Sequence, residues 1–222
     1  MADPVQENLL REIQEDLRRE RLEKLWKRYG SVLIAAVLAI VVAVAAYEAW
    51  KAWELGQREA QSAAFTAAEA LAENDPAAAA EAFSALADDG AGGFGMLAGF
   101  RRAALLTDGG RPEDAAAEYD ALVSRLDQPL YRDLARLRWV AVRLAADPAA
   151  AEDARLREAL AALSGDTNPW RFSAREIGAG VALQKGDVAQ ARELLGKLQA
   201  DVETPQGIRS RAAEMLARLD SK

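Results

Sequence analysis

Residues Ser31–Tyr47, SVLIAAVLAIVVAVAAY, carry no charge, and with Tyr29 and Gly30 the uncharged run reaches 19 residues. An α-helix needs roughly 20 apolar residues to cross the hydrocarbon core of a bilayer. The candidate membrane-spanning side chains are Ser31, Val32, Leu33, Ile34, Val37, Leu38, Ile40, Val41, Val42, Val44 and Tyr47. Valine and isoleucine weaken a helix in water. In lipid the helix is enforced, because each backbone N–H and C=O must be paired within the segment. Trp26 and Tyr29 stand before the run, and Tyr47, Trp50 and Trp53 at and beyond its end, the arrangement of an interfacial aromatic belt. A core helix of this length in a soluble protein normally shows a polar face. Ala43-Val44-Ala45 has the small-x-small form of a signal-peptide cleavage site, but the long preceding segment and long apolar run fit an uncleaved anchor better.

Flanking charge orients the span. Arg18, Arg19, Arg21, Lys24, Lys27 and Arg28 precede it, whereas only Lys51 and Arg58 follow within a similar distance. Basic residues stay on the cytoplasmic side, so the N-terminus is expected there and the C-terminal bulk across the membrane. The organisation expected is a charged helical tail over 1–30, a signal-anchor helix over 31–50 and a helical domain over 51–222. In the tail, Leu9, Leu10, Ile13, Leu17, Leu22, Leu25 and Trp26 form a narrow apolar stripe. Glu15–Arg19, Glu20–Lys24 and Glu23–Lys27 are spaced for i,i+4 pairing with the acid first. Such a helix either lies near anionic headgroups or meets a cytoplasmic or membrane partner.

Residues 1–30 hold seven basic and seven acidic residues, so the whole net charge of −7 falls in the rest of the chain. That acidity argues against nucleic acid as a partner. There is no cysteine and no histidine. Disulfides, thiolate nucleophiles and cysteine-ligated metals are excluded, and the usual near-neutral general base is missing. No catalytic residue, metal site or cofactor is expected. About 50 alanines, with few β-branched residues outside the apolar run, give an all-α reading.

After the span, turns recur. Asn74, Gly110, Asp147 and Gly186 are separated by 36, 37 and 39 residues. Ala79, Ala115 and Ala191 stand five residues after three of these turns. Phe83, Tyr119 and Leu195 stand at nine, and Leu86, Leu122 and Leu198 at twelve. The alanine lets two helices approach closely, and the large residue fills the seam to the next repeat. The third unit is degenerate, with Ala151, Leu156 and Leu160 only roughly in place. Pro76, Pro112 and Pro148 suit the first turn of a following helix. A helix over about 206–219 is expected to cap the array. The pattern resembles the tetratricopeptide repeat, with longer helices and without most of its tryptophan and proline positions. The fold expected is all-α: a single N-terminal transmembrane helix, then an α-solenoid of tetratricopeptide-like helix pairs.

The chain also resembles, over essentially its full length, the ancillary SecYEG translocon subunit (YfgM-like) family. The resemblance is carried by the charged tail, the single span and the acidic repeats. It is carried too by Leu130-Tyr131-Arg132-Asp133-Leu134-Ala135-Arg136-Leu137 and by Thr204-Pro205-Gln206-Gly207-Ile208-Arg209-Ser210-Arg211-Ala212. The periplasmic domain of the cell-division coordinator type shares the repeats. What the first resemblance implies is a single-pass bacterial inner-membrane protein with a periplasmic domain. Its partners would be translocon subunits, periplasmic chaperones or emerging chains. The other reading is a self-associating envelope or cell-division scaffold with no link to secretion.

Arg101, Arg102, Arg132, Arg136, Arg138, Arg171 and Arg175 fall on the first helices of the repeats, the helices that line the concave face of such solenoids. Arg132 with Arg136, and Arg171 with Arg175, share a face, and Trp139, Trp170 and Phe172 are close in sequence. They form either a groove for an acidic peptide or ordinary surface pairs with the domain's carboxylates. Gly90–Gly95 matches GxGxxG but follows a helical stretch rather than a strand, so it reads as a loop between repeats. Asp88-Asp89 reads as a solvated helix end.

Overall fold

The protein is described by a computed structural model covering residues 4–88 and 92–221, with side chains from Arg18 onward except Arg21. Asp89, Gly90 and Ala91 lie outside the described residues, and with them part of the glycine pattern and one member of the aspartate pair. So do the side chains of Leu9, Leu10, Ile13, Glu15, Leu17 and Arg21. The described residues form helices and turns: α1 (Pro4–Ala72), α2 (Pro76–Asp88), α3 (Gly93–Asp108), α4 (Pro112–Arg125), α5 (Pro129–Ala146), a 3-10 turn (Pro148–Glu152), α6 (Ala154–Leu163), α7 (Arg171–Gln184), α8 (Val188–Ala200) and α9 (Gln206–Asp220). The chain divides into two compact units, Met1–Ala60 and Gln61–Lys222.

The first unit is the long early part of α1. It contains a segment long and apolar enough to cross a membrane. Every large apolar side chain from Leu22 to Leu55 is exposed, Val32 and Ile40 at more than three-fifths of their surface. On the charged part, Lys24 Nζ donates to Glu20 at 2.8 Å. That hydrogen bond and the lysine's charge hold the Glu20 carboxyl below the usual carboxylate range. Trp50 and Trp53 stand with ring centroids 5.4 Å apart.

The second unit is built of helix pairs. The end of α1 packs through Phe65, Ala68 and Ala72 on Ala79, Ala80 and Phe83 of α2. The pairs α3–α4, α5–α6 and α7–α8 follow, and α9 packs on α8 and α7. The offsets counted from the turns are the burial pattern. Ala79, Phe83, Ala115, Tyr119, Leu122, Ala191, Leu195 and Leu198 are all buried, and Leu86 is partly buried against the cluster that holds Ala79 and Phe83. Leu156 stands nine residues after Asp147 and is fully buried too, so the third unit keeps its plug. What makes that unit irregular is the 3-10 turn, after which Asp153 caps a fresh helix, accepting from Arg155 N at 2.8 Å.

Two of the reversals are alike in detail. Gly110 and Gly186 have φ of 72° and 77°. In each, the following amide donates back to the helix, Arg111 N to Leu106 O and Asp187 N to Ala182 O, both at 2.8 Å. This is the Schellman end, whose left-handed residue is cheapest as glycine. The turns after α1 and α5 reverse without a positive φ and use aspartate caps instead. Asp75 accepts from Ala78 N at 3.0 Å and Asp147 from Ala149 N at 2.9 Å. Between α3 and α4 the backbones come close at Gly99, where an added methyl would lie 2.8 Å from Leu122 Cδ2.

Candidate partner-binding surface

The successive first helices of the pairs are α1, α3, α5, α7 and α9. Side chains tie most neighbours in this series. Arg101 of α3 makes a bidentate pair with Glu69 of α1 at 2.5 and 2.8 Å. That pairing raises the Arg101 pKa despite partial burial. Ahead of α7, Asn168 Nδ2 donates to Asp133 of α5 at 2.9 Å, and Trp170 Nε1 donates to Leu130 O at 2.9 Å. Arg211 of α9 pairs bidentately with Glu176 of α7 at 2.5 and 2.9 Å, which raises its pKa in turn.

The arginines singled out in the sequence are mostly committed to such ties. Arg102 pairs with Glu118, a nearly buried carboxylate that also accepts from Arg125 Nη2 at 3.1 Å. Arg136 pairs with Asp133 at 2.9 Å within α5. Arg171 reaches Asp201 at 3.7 Å, pairs with Glu203, and lies 4.0 Å over the Phe172 ring. Arg175 is buried; it donates from Nε to Ser164 O at 3.1 Å and pairs with the exposed Asp166. The structure therefore does not bring Arg101, Arg102, Arg136, Arg171 and Arg175 together as one groove. Arg101, Arg102, Arg171 and Arg175 hold neighbouring segments, and Arg136 pairs within its own helix. Arg132 is half-buried, Arg138 is exposed, and neither has an ion pair among the described residues.

The α3–α5 seam has a different make-up. No side-chain tie joins these two helices among the described residues. Instead, an apolar groove of about 300 Å³ lies between them. Met96, Leu97, Phe100 and Ala104 of α3 form one wall, and Tyr131, Leu134 and Arg138 of α5 the other, with Tyr119 of α4 beneath. Residues 131, 134 and 138 follow helical spacing and share a face. Phe100 and Tyr119 stand 6.1 Å apart between ring centroids, tilted by 53°. Burial pushes the Tyr119 phenol pKa up, with Arg138 opposing and Asp108 adding. Leu97 is 46% exposed and Leu130, adjacent to Tyr131, 44%, so the apolar surface continues past the hollow.

Two other hollows are already occupied by internal pairs. A larger one, of about 630 Å³, is crossed by the Glu69–Arg101 pair and edged by Glu73 and Asp108. Another contains Trp139 with the Arg155 guanidinium 4.6 Å over its ring, and that arginine pairs with Asp120. Among the described residues no three His, Cys, Asp or Glu side chains gather as a metal site would require.

The sequence pointed to Arg138 but left Met96, Leu97, Phe100, Tyr131 and Leu134 unassigned as a group. The available signal was an excess of large apolar residues on two first helices whose core-facing stripes were already filled. A family model described as a tetratricopeptide repeat-like domain matches residues 23–201. No curated protein and no solved structure matches the chain.

Proposed function

Since the chain belongs to the tetratricopeptide repeat-like domain family, whose members are generally non-catalytic interaction modules, we propose that it is a membrane-anchored, non-enzymatic protein-binding subunit. The observation that carries this reading is the apolar groove between α3 and α5, within an array whose other first-helix seams are tied shut. The apolar early part of α1 serves as the anchor, and the excess of arginine and lysine before it keeps the N-terminus cytoplasmic. The repeats then face the periplasm from the inner membrane. There they act as an ancillary part of the translocon, meeting translocon subunits, periplasmic chaperones or emerging chains. The resemblance of the tail, the span and the Leu130–Leu137 and Thr204–Ala212 stretches to the SecYEG ancillary family supports this assignment. Anchoring raises the effective concentration of a weak contact, so a small groove suffices.

The test is photo-crosslinking in intact membranes. A photo-reactive residue at Leu97 samples the groove directly, whereas the buried Arg175 does not. Adducts to translocon subunits or periplasmic chaperones are expected. Adducts confined to a second copy, or to division and envelope factors, would overturn the secretory assignment in favour of a scaffold.

A further inference from the structure

We infer that the seam between α4 and α6 is a second binding site, for an arginine side chain presented by a partner protein, and that Arg155 holds it closed from within. That site shares no residue with the α3–α5 groove, so it adds to the protein-binding reading above rather than resting on it. Its walls are two successive second helices, with α5 beneath. Two hollows, of about 280 and 340 Å³, lie along the seam and have Asp120, Trp139 and Arg155 in common. The Arg155 side chain is the partition between them. Its guanidinium lies 4.6 Å over the Trp139 ring and donates to both carboxylate oxygens of Asp120. Beneath it Trp139 is buried.

The partition is weakly held. The Arg155 side chain is 59% exposed and that of Asp120 41%, and exposed pairs of this kind contribute little. Arg155 is also the second residue of α6, where the helix dipole disfavours a cation. Trp139, by contrast, belongs to the core, and Asp120 stands in the middle of α4. The receptor is fixed and its internal ligand is not. With Arg155 swung out, Glu113, Asp120, Asp153 and Glu158 line the joined space against Arg143 and Arg136. Arg136 is already paired with Asp133, and Glu113 and Glu158 are exposed with no ion pair among the described residues. The space therefore favours a cation. An aromatic face beside a carboxylate takes a guanidinium better than an ammonium, because the planar fork stacks and bonds bidentately at once. Alanines 116 and 117 on one side and 159 and 162 on the other leave room for the residues that flank an incoming arginine.

The test uses the full-length protein in lipid nanodiscs and a short fluorescent peptide with blocked ends, carrying one arginine among alanines and serines. Twins carry lysine, aspartate, or citrulline, which keeps the shape of arginine and lacks its charge. Removing an internal ligand frees the fraction of molecules that it closes. A surface pair accounts for about fivefold at most, so Arg155→Ala should bind the arginine peptide about three- to fivefold more tightly than the unaltered chain. Arg157→Ala takes the same charge from the same helix, at an exposed position outside both hollows, and should change binding by less than about twofold. In the Arg155→Ala chain arginine should exceed citrulline by about tenfold, the size of a charge-assisted contact, and lysine by less. Asp120→Asn should remove most of that preference. Equal gains from Arg155→Ala and Arg157→Ala would reduce the effect to net charge and overturn the inference. So would equal binding of arginine and citrulline, no measurable binding by Arg155→Ala, or tighter binding of the aspartate twin, which would give the seam to an anion. None of these outcomes bears on crosslinks from Leu97, which test the proposed function separately.

Discussion

Gly186 shows how much one residue decides here. Its φ of 77° closes α7 with a Schellman end, and the next residue, Asp187, opens α8 by accepting from Gln190 N at 2.9 Å. Gly186→Ala should cost about 1–2 kcal/mol, since a Cβ disfavours the left-handed conformation, and Asp187→Ala about 1 kcal/mol for the lost cap. Thermal denaturation of the full chain would read both. Glu118 is the other critical residue, because Arg102 and Arg125 both converge on it. Glu118→Gln leaves a partly buried guanidinium without its counter-charge and should destabilise by about 2–3 kcal/mol, at the low end for a buried pair. Tyr119 gives a pH signature. Its phenol pKa is raised in the folded chain, so the folded state holds this proton more tightly than the unfolded one. The stability it contributes is complete below the ordinary phenol value of about 10 and is lost as pH rises through the folded value. Alkaline titration of the melting temperature should therefore fall less steeply in Tyr119→Phe. An unchanged slope would show that the phenol has no such role.

Between elements, sequence spacing predicted some contacts and missed others for a physical reason. A small residue, a plug and a second plug at fixed offsets report helix periodicity, and periodicity is local; that is why Ala79, Phe83, Ala191 and Leu195 could be placed before any contact was known. The partner of an arginine is not local. Glu69 lies 32 residues from Arg101, and Glu176 lies 35 from Arg211, and no pattern within one helix names either. The 3-10 turn after Asp147 was missed likewise, since a run of alanines suits a tight turn as readily as an α-helix. The α3–α4 crossing gives a prediction at this scale. Gly99→Leu has no room against Leu122 and should cost at least 1–3 kcal/mol through overpacking. Thermal denaturation of the full chain would read this loss.

For the whole molecule, the absence of native cysteine makes the proposed topology directly testable. Val202→Cys sits at an 89% exposed position in the second unit, and Glu23→Cys at an exposed position ahead of the apolar run. A membrane-impermeant maleimide added to spheroplasts should label the first at once and the second only after permeabilisation. The reverse order would invert the orientation.

The ties between first helices join residues 32 to 40 apart. No element in the series waits on a partner from the far end of the chain. A polypeptide delivered end-first through a narrow passage can therefore settle as it arrives, each helix pair closing once the next first helix has emerged. The α3–α5 seam, having no polar latch among the described residues, is a joint in that queue that stays unlatched after the last residue has arrived.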